Sequence, residues 1–211
     1  MFSLLVCVKY ISLFGVLVFL NLFGDYLLTL SPVNDKILAF RAVGDNATHG
    51  AIAAISWFMV SVLKHAPLFD KTSLTNCSLC LIFACIIDVD HFIAARSFNL
   101  KDAVRLNARP PLHCTSVILA LILLMFIVAV FFVNLKVITI SCLLFVAVIT
   151  HHLRDALRRG LWIYPFTDEL PITYSLYLCL LFVIPLFVFT VHEYFSKTSY
   201  ELTNRIDNYI V

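Results

Sequence analysis

The chain has 211 residues, of which 62% are hydrophobic and 13% charged, against roughly 25% charged in a soluble domain. With a mean hydropathy of +0.97 it lacks the polar surface of a water-soluble globule and is too apolar for a disordered tail. A net charge of only +2 argues against nucleic acid as a partner and leaves membrane lipids as the expected surroundings.

A membrane-spanning helix needs about 20 mainly apolar residues, fewer when neighbours shield it. Six stretches meet this description: 2–23, 47–63, 74–87, 112–133, 137–150 and 172–191. The first is long, is interrupted by Lys9 and is followed by no small-residue cleavage site, so it reads as a retained helix rather than a secretory signal. The third and fifth are short and call for shielding by the bundle or a thinned bilayer. Between the third and fourth, residues 92–106 mix Phe92, Ile93, Phe98, Leu100 and Val104 with Arg96, Lys101 and Arg105, the pattern of an amphipathic helix lying at the interface. Asn134, Leu135 and Lys136 form a tight link that makes the fourth and fifth helices an antiparallel hairpin. The expected fold is therefore all-α: a single integral membrane domain over residues 1–211, a polytopic multi-pass bundle of about six helices, five if the first is not a span, with an interfacial helix. The seven cysteines are odd in number and lie mostly in apolar runs, so no disulfide framework is read. Cys77 and Cys80 form a lone CxxC without the second pair of a four-cysteine zinc site.

Basic residues set the orientation, because Lys and Arg are enriched in cytoplasmic loops. Alternate crossing gathers Lys36, Arg41, Arg96, Lys101, Arg105, Arg109, Arg154, Arg158 and Arg159 on one face and leaves Lys9, Lys64, Lys71, Lys136, Lys197 and Arg205 on the other. The richer face is expected to be cytoplasmic. Arg154, Arg158 and Arg159 read most simply as topology signals and lipid-phosphate contacts. Asn46-Ala47-Thr48 matches a glycosylation acceptor, and a glycan there would invert this topology.

The same parity places four titratable clusters on one face. Asp45 and His49 fall where the second helix begins, Asp88, Asp90 and His91 where the third ends, Arg109 and His113 where the fourth begins, and His151, His152 and Asp155 where the fifth ends. Residues four apart on a helix are neighbours, about 5–6 Å apart at Cβ, so Asp45 faces His49 and His151 faces Asp155. Each pair can share one ion, or the carboxylate can orient the imidazole from behind. Asp88 and Asp90 point to different sides if extended and about 200° apart if helical, so they meet one metal only where the backbone bends. The mixture of imidazole and carboxylate favours zinc or manganese over calcium. Each cluster alone also has an ordinary reading: Asp45 as a helix cap, Asp88 and Asp90 as solvated loop carboxylates, and His151 with Asp155 as a helical ion pair. The common side is what favours function. His65 and His192 fall on the opposite face and read as structural.

The series THG at 48–50, DVDH at 88–91, RPPLH at 109–113 and HHLRDALRRGLWIYPF at 151–166 resembles the bacterial membrane-bound metal-dependent hydrolase family over residues 45–166. The resemblance implies functional roles for His49, Asp88, Asp90, His91, Arg109, His113, His151 and Asp155, with Trp162, Pro165 and Phe166 matching the last motif. Two positions depart from the family: Ala108 stands where a further histidine is usual, and Arg158 where a threonine follows the last aspartate. The resemblance thus implies a metal site more directly than a reaction. The expectation is that His49, Asp88, His113, His151 and Asp155 ligate one or two divalent ions, while His152, about 100° away, is structural. For catalysis, Asp90 or His91 would be the general base, and Arg109 and Arg158 would hold an anionic group such as the phosphoester of an amphiphilic substrate. The alternatives are a non-catalytic scaffold that retains the metal site, and an ion or proton transporter, which would need polar residues continuing through the helix centres.

Overall fold

The computed structural model describes residues 3–31, 33–65, 70–166 and 170–210, without the side chains of 200 and 202–210. The start of the first apolar stretch at residue 2 and the side chain of Arg205 lie outside the described residues. Among those described, the order is α1 (Leu4–Thr29), α2 (Asp35–Leu63), α3 (Lys71–Ile87), α4 (Asp90–Ala95), α5 (Leu100–Ala103), a 3-10 turn (Pro111–His113), α6 (Thr115–Phe131), α7 (Leu135–Arg159) and α8 (Tyr174–Ile210). Among the described residues five segments are long and apolar enough to cross a membrane: α1, α2, α3 continued through α4, α7, and Tyr174–Ser199 of α8; α6 is a shorter apolar helix. An all-α membrane bundle is thus what the sequence folds into.

Helix ends are where the fold departs from the sequence reading. The second helix starts at Asp35, not 47, because the Asn34 side chain caps it by accepting from the Ile37 amide at 2.9 Å. Lys36, Arg41 and Asp45 therefore ride on helical turns ahead of the apolar stretch, and Asp45 is no cap. The fifth stretch runs on to Arg159 and ends at Gly160, whose φ of 69° suits a residue without Cβ. It is a full-length span, not a short one. The expected interfacial helix is broken in two: Arg96 takes a left-handed φ of 50°, ending α4, and α5 restarts after an Asn99 cap. The hairpin link is residues 132–134, with Leu135 and Lys136 already inside α7 behind the Asn134 cap.

At the centre of the bundle stand α2 and α7. Their apolar windows are 67% and 56% buried, against 22% for α1. Trp57, Ile52, Leu143, Tyr177, Leu181 and Leu17 fill the core between them, α8 and α1. In lipid, helices associate through close contact and hydrogen bonds rather than through escape from water, and Gly24 makes one such approach possible. A Cβ built on Gly24 would lie 2.6 Å from the Thr48 methyl and 2.8 Å from the Arg154 guanidinium. Gly24→Ala is expected to destabilise by about 1–3 kcal/mol through overpacking, whereas Gly15→Ala, with nothing within 4 Å of its Cβ, should be neutral. Thermal unfolding of the two variants in detergent compares them directly.

Candidate metal centre

Two central helices deliver four of the side chains. Asp45 and His49 are one turn apart on α2, and His151 and Asp155 one turn apart on α7. Asp88 caps the C-terminus of α3, and Asp90 opens α4 two residues later. Asp88 and Val89 sit in tight i→i+3 backbone turns between the two helices, and both aspartates reach the same imidazole, Asp88 at Nε2 and Asp90 at Nδ1. The Pro110-Pro111 pair then forces a 3-10 turn that presents His113. Hairpin threading thereby brings side chains more than a hundred positions apart in sequence into contact.

Four donor atoms form the heart of the cluster: Nε2 of His113, Nε2 of His151, Oδ1 of Asp88 and Oδ2 of Asp155. The two nitrogens are 3.4 Å apart. His113 Nε2 lies 3.5 Å from Asp88 and 3.4 Å from Asp155, and His151 Nε2 lies 3.6 Å from each. Every separation that involves one of the nitrogens is thus 3.4–3.6 Å. A regular tetrahedron of ligands about 2.0–2.2 Å from a central ion has edges of about 3.3–3.6 Å. The far nitrogens are occupied, as metal-binding imidazoles require. His151 Nδ1 donates to the Ala84 carbonyl at 3.0 Å, and His113 Nδ1 faces Asp90 at 3.4 Å. Two imidazole lone pairs then point at each other, an arrangement that draws a proton or a cation between them. Burial alone would depress the His113 imidazole, yet the Asp155, Asp88 and Asp90 carboxylates raise it to about 11.

The remaining predicted residues surround this core. His49, 2% exposed, stacks on His151 at 3.9 Å between centroids and sets its Nε2 3.5 Å from the other oxygen of Asp155. Asp90 is 3% exposed and accepts from the Leu112 amide at 2.7 Å, so it is anchored behind His113. His91 lies 3.3 Å from Asp90, meets His113 edge-on and lines the cavity. His152 is held at 3.0 Å from the Leu112 carbonyl, steadying the turn that carries His113. Arg109 donates to the carbonyls of Arg159 and Gly160, fastening the end of α7. Arg158 pairs with Asp155 at 2.6 Å and with Asp45 at 3.0 Å.

Arg154 corrects the reading of that triplet as lipid contacts. It is 2% exposed and bound at 3.0 Å to Asp25, 3.2 Å to Asn21 and 3.3 Å to Asp45. Tyr177 donates to the same Asn21 oxygen. Asn21, Asp25 and Tyr177 were absent from the expected site, although an Asn and an Asp one turn apart beside an apolar run are the signal of an interior polar tie.

The cluster floors a cavity of about 360 Å³. Its walls combine apolar Val43, Phe92, Leu100, Val104 and Trp162 with the exposed edge of Arg158. Asn46 lines it from within α2, its Oδ1 buried and unpartnered among the described residues, and Thr48 of the same acceptor triplet is buried and bonded to the Gly44 carbonyl. Asn46 is therefore expected to carry no glycan, checked by an unchanged gel mobility after glycosidase treatment of the chain from glycosylating cells.

No family model matches the chain, so the resemblance to membrane-bound metal-dependent hydrolases gains no support from that comparison. No solved structure matches it either. The chain is 36% identical to "Transmembrane protein 267" of Danio rerio over 173 residues, covering 77% of this chain and 71% of that protein. It is 37% identical to the Xenopus laevis protein of that name over 146 residues (69% and 66%) and 35% identical to the Mus musculus one over 155 residues (69% and 70%).

Proposed function

The chain belongs to the transmembrane protein 267 family, and we propose that this multi-pass membrane protein holds a divalent ion, zinc or manganese, and hydrolyses the phosphoester of an amphiphile at its cytoplasmic face. The observation that carries the reading is the five separations of 3.4–3.6 Å that the Nε2 atoms of His113 and His151 make with each other and with the carboxylates of Asp88 and Asp155. Two nitrogens and two carboxylate oxygens suit zinc or manganese better than calcium.

A divalent ion bound there supplies Lewis acidity and brings the pKa of a water toward about 7. The chain's own residues do the rest. Asp90 orients His113 through Nδ1, which is a positioning role rather than that of a base, because its carboxylate is buried behind the imidazole. His91 is the base: it takes the proton of the attacking water as that oxygen bonds to phosphorus, and returns it to the alkoxide released when the ester P–O bond breaks. Arg158 faces the cavity and holds the anionic head group. Arg109 supports the wall through its hold on α7 and is not the anion clamp. The apolar wall accommodates the start of an acyl or isoprenoid-like tail.

The test is metal analysis of the purified full-length chain with the His151→Ala and Asp155→Ala variants, followed by a phosphoester panel. About one ion per chain in the wild type and near none in the variants supports the centre. Unchanged metal content in the variants removes both residues as ligands. Metal without hydrolysis of any phosphoester favours the scaffold reading, to which the Arg158 ion pairs at 2.6 and 3.0 Å lend weight.

A further inference from the structure

We infer that the centre holds a single ion and that the guanidinium of Arg158 occupies the place a second ion would take. This deepens the metal reading above and rests on it. Asp155 divides its two oxygens between two sets of donors. Oδ2 faces the imidazoles of His113 and His151. Oδ1 faces Nε2 of His49 at 3.5 Å, and Asp45 adds an oxygen 3.9 Å from the same nitrogen. A carboxylate shared in this manner, with an imidazole on each side, is the bridge of two-metal centres, whose ions stand about 3.5–4 Å apart. One half of such a pair is the tetrahedral set; His49, Asp45 and Asp155 Oδ1 are the donors of the other.

That second place is filled by protein. Arg158 sets Nη2 2.6 Å from Asp155 Oδ1 and Nη1 3.0 Å from Asp45 Oδ2. Its planar fork joins the two carboxylates that a second ion would join. Arg154, fully buried, adds a further positive group 3.3 Å from Asp45 Oδ1. A divalent ion among these oxygens would have to displace one guanidinium and sit beside another, in a setting where like charges are costly. His49 is left with an Nδ1 that is buried and has no partner among the described residues, unlike the Nδ1 atoms of His113 and His151, which are held as a ligand's should be. His49 accordingly packs on His151 and steadies Asp155 instead of carrying an ion of its own.

The arrangement also specifies the ligand. One cation site and one guanidinium on either side of Asp155, at the edge of the cavity, match two non-bridging oxygens of a single phosphoester group.

Stoichiometry tests the inference independently of turnover. The full-length chain in lipid nanodiscs is stripped with a chelator and reloaded with manganese alone, and bound metal and the electron paramagnetic resonance spectrum are recorded for the wild type, Arg158→Lys, Arg158→Ala and Arg158→Gln. The expected result is one ion with an uncoupled spectrum in the wild type and in Arg158→Lys, and two ions with a spin-coupled spectrum in the two neutral variants. Two ions in the wild type, a result that needs no variant to fold, overturns the inference. So does a single ion in the neutral variants. No ion in the wild type ends the metal reading on which the inference stands, which separates the two failures.

Discussion

Asp155→Ala is expected to abolish copurified metal, the largest functional loss of any single substitution in this chain. Its two oxygens lie 3.4 Å from His113, 3.6 Å from His151, 3.5 Å from His49 and 2.6 Å from Arg158. Removing the carboxylate takes away a direct donor and leaves the Arg158 guanidinium facing the ion place without its counter-charge. Loss of a supporting partner behind a ligand costs about 10–100-fold in metal affinity, and that is the drop expected for Asp90→Asn, which leaves the four donors in place. Asp155→Ala should exceed it. Titration of the metal-stripped protein with zinc separates the two: binding at reduced affinity for Asp90→Asn, and no measurable binding for Asp155→Ala. An Asp155→Ala variant that binds zinc as tightly as Asp90→Asn would remove Asp155 from the ligand set.

The second large effect falls on stability. Arg154→Met is expected to destabilise by about 3–5 kcal/mol, the cost of breaking a buried ion pair by removing one partner. The loss is that large because Asp25 loses its guanidinium, Asp45 keeps only that of Arg158, and Asn21 loses a donor, at a side chain only 2% exposed. Arg154→Met with Asp25→Asn should recover part of it, since the second substitution removes a stranded charge; distant, independent sites would instead add. Thermal unfolding and the yield of monodisperse protein in detergent measure both. A single variant as stable as the wild type would show the network to be dispensable.

The apolar stretches mark the helices well because a span must be apolar whatever its neighbours, and residues 112–133 and 137–150 overlie α6 and α7 in this way. The ends were hidden for the opposite reason. Residues 35–44 and 156–159 are polar and lie beyond the apolar stretches, yet they are helical because Asn34 and Gly160 terminate the helices there and because their charges meet one another across the bundle. The cluster was legible as a list. A shared face, the i and i+4 spacing and the resemblance together name His49, Asp88, His113, His151 and Asp155, and the structure brings these side chains together; which of them holds an ion is what the metal titration decides. Roles were not legible, because they depend on which atom faces which. Asp90 stands behind His113, Arg109 grips helix carbonyls, and Arg154 is an interior residue, and each of these follows from contacts across 20 to 130 positions of sequence. Asp25 lies just past the apolar stretch that ends at residue 23, inside a helix that continues to Thr29.

The Arg154 tie has a bearing on biogenesis. The acids that neutralise it, Asp25 and Asp45, sit on helices translated well before α7. An arginine emerging into the bilayer therefore finds its counter-ions already inserted, and the burden of carrying a naked guanidinium into hydrocarbon is relieved at the moment of helix arrival. A chain shortened ahead of α2 would lack Asp25 and leave Arg154 with Asp45 as its acid partner, so a lower yield of folded protein is expected from it.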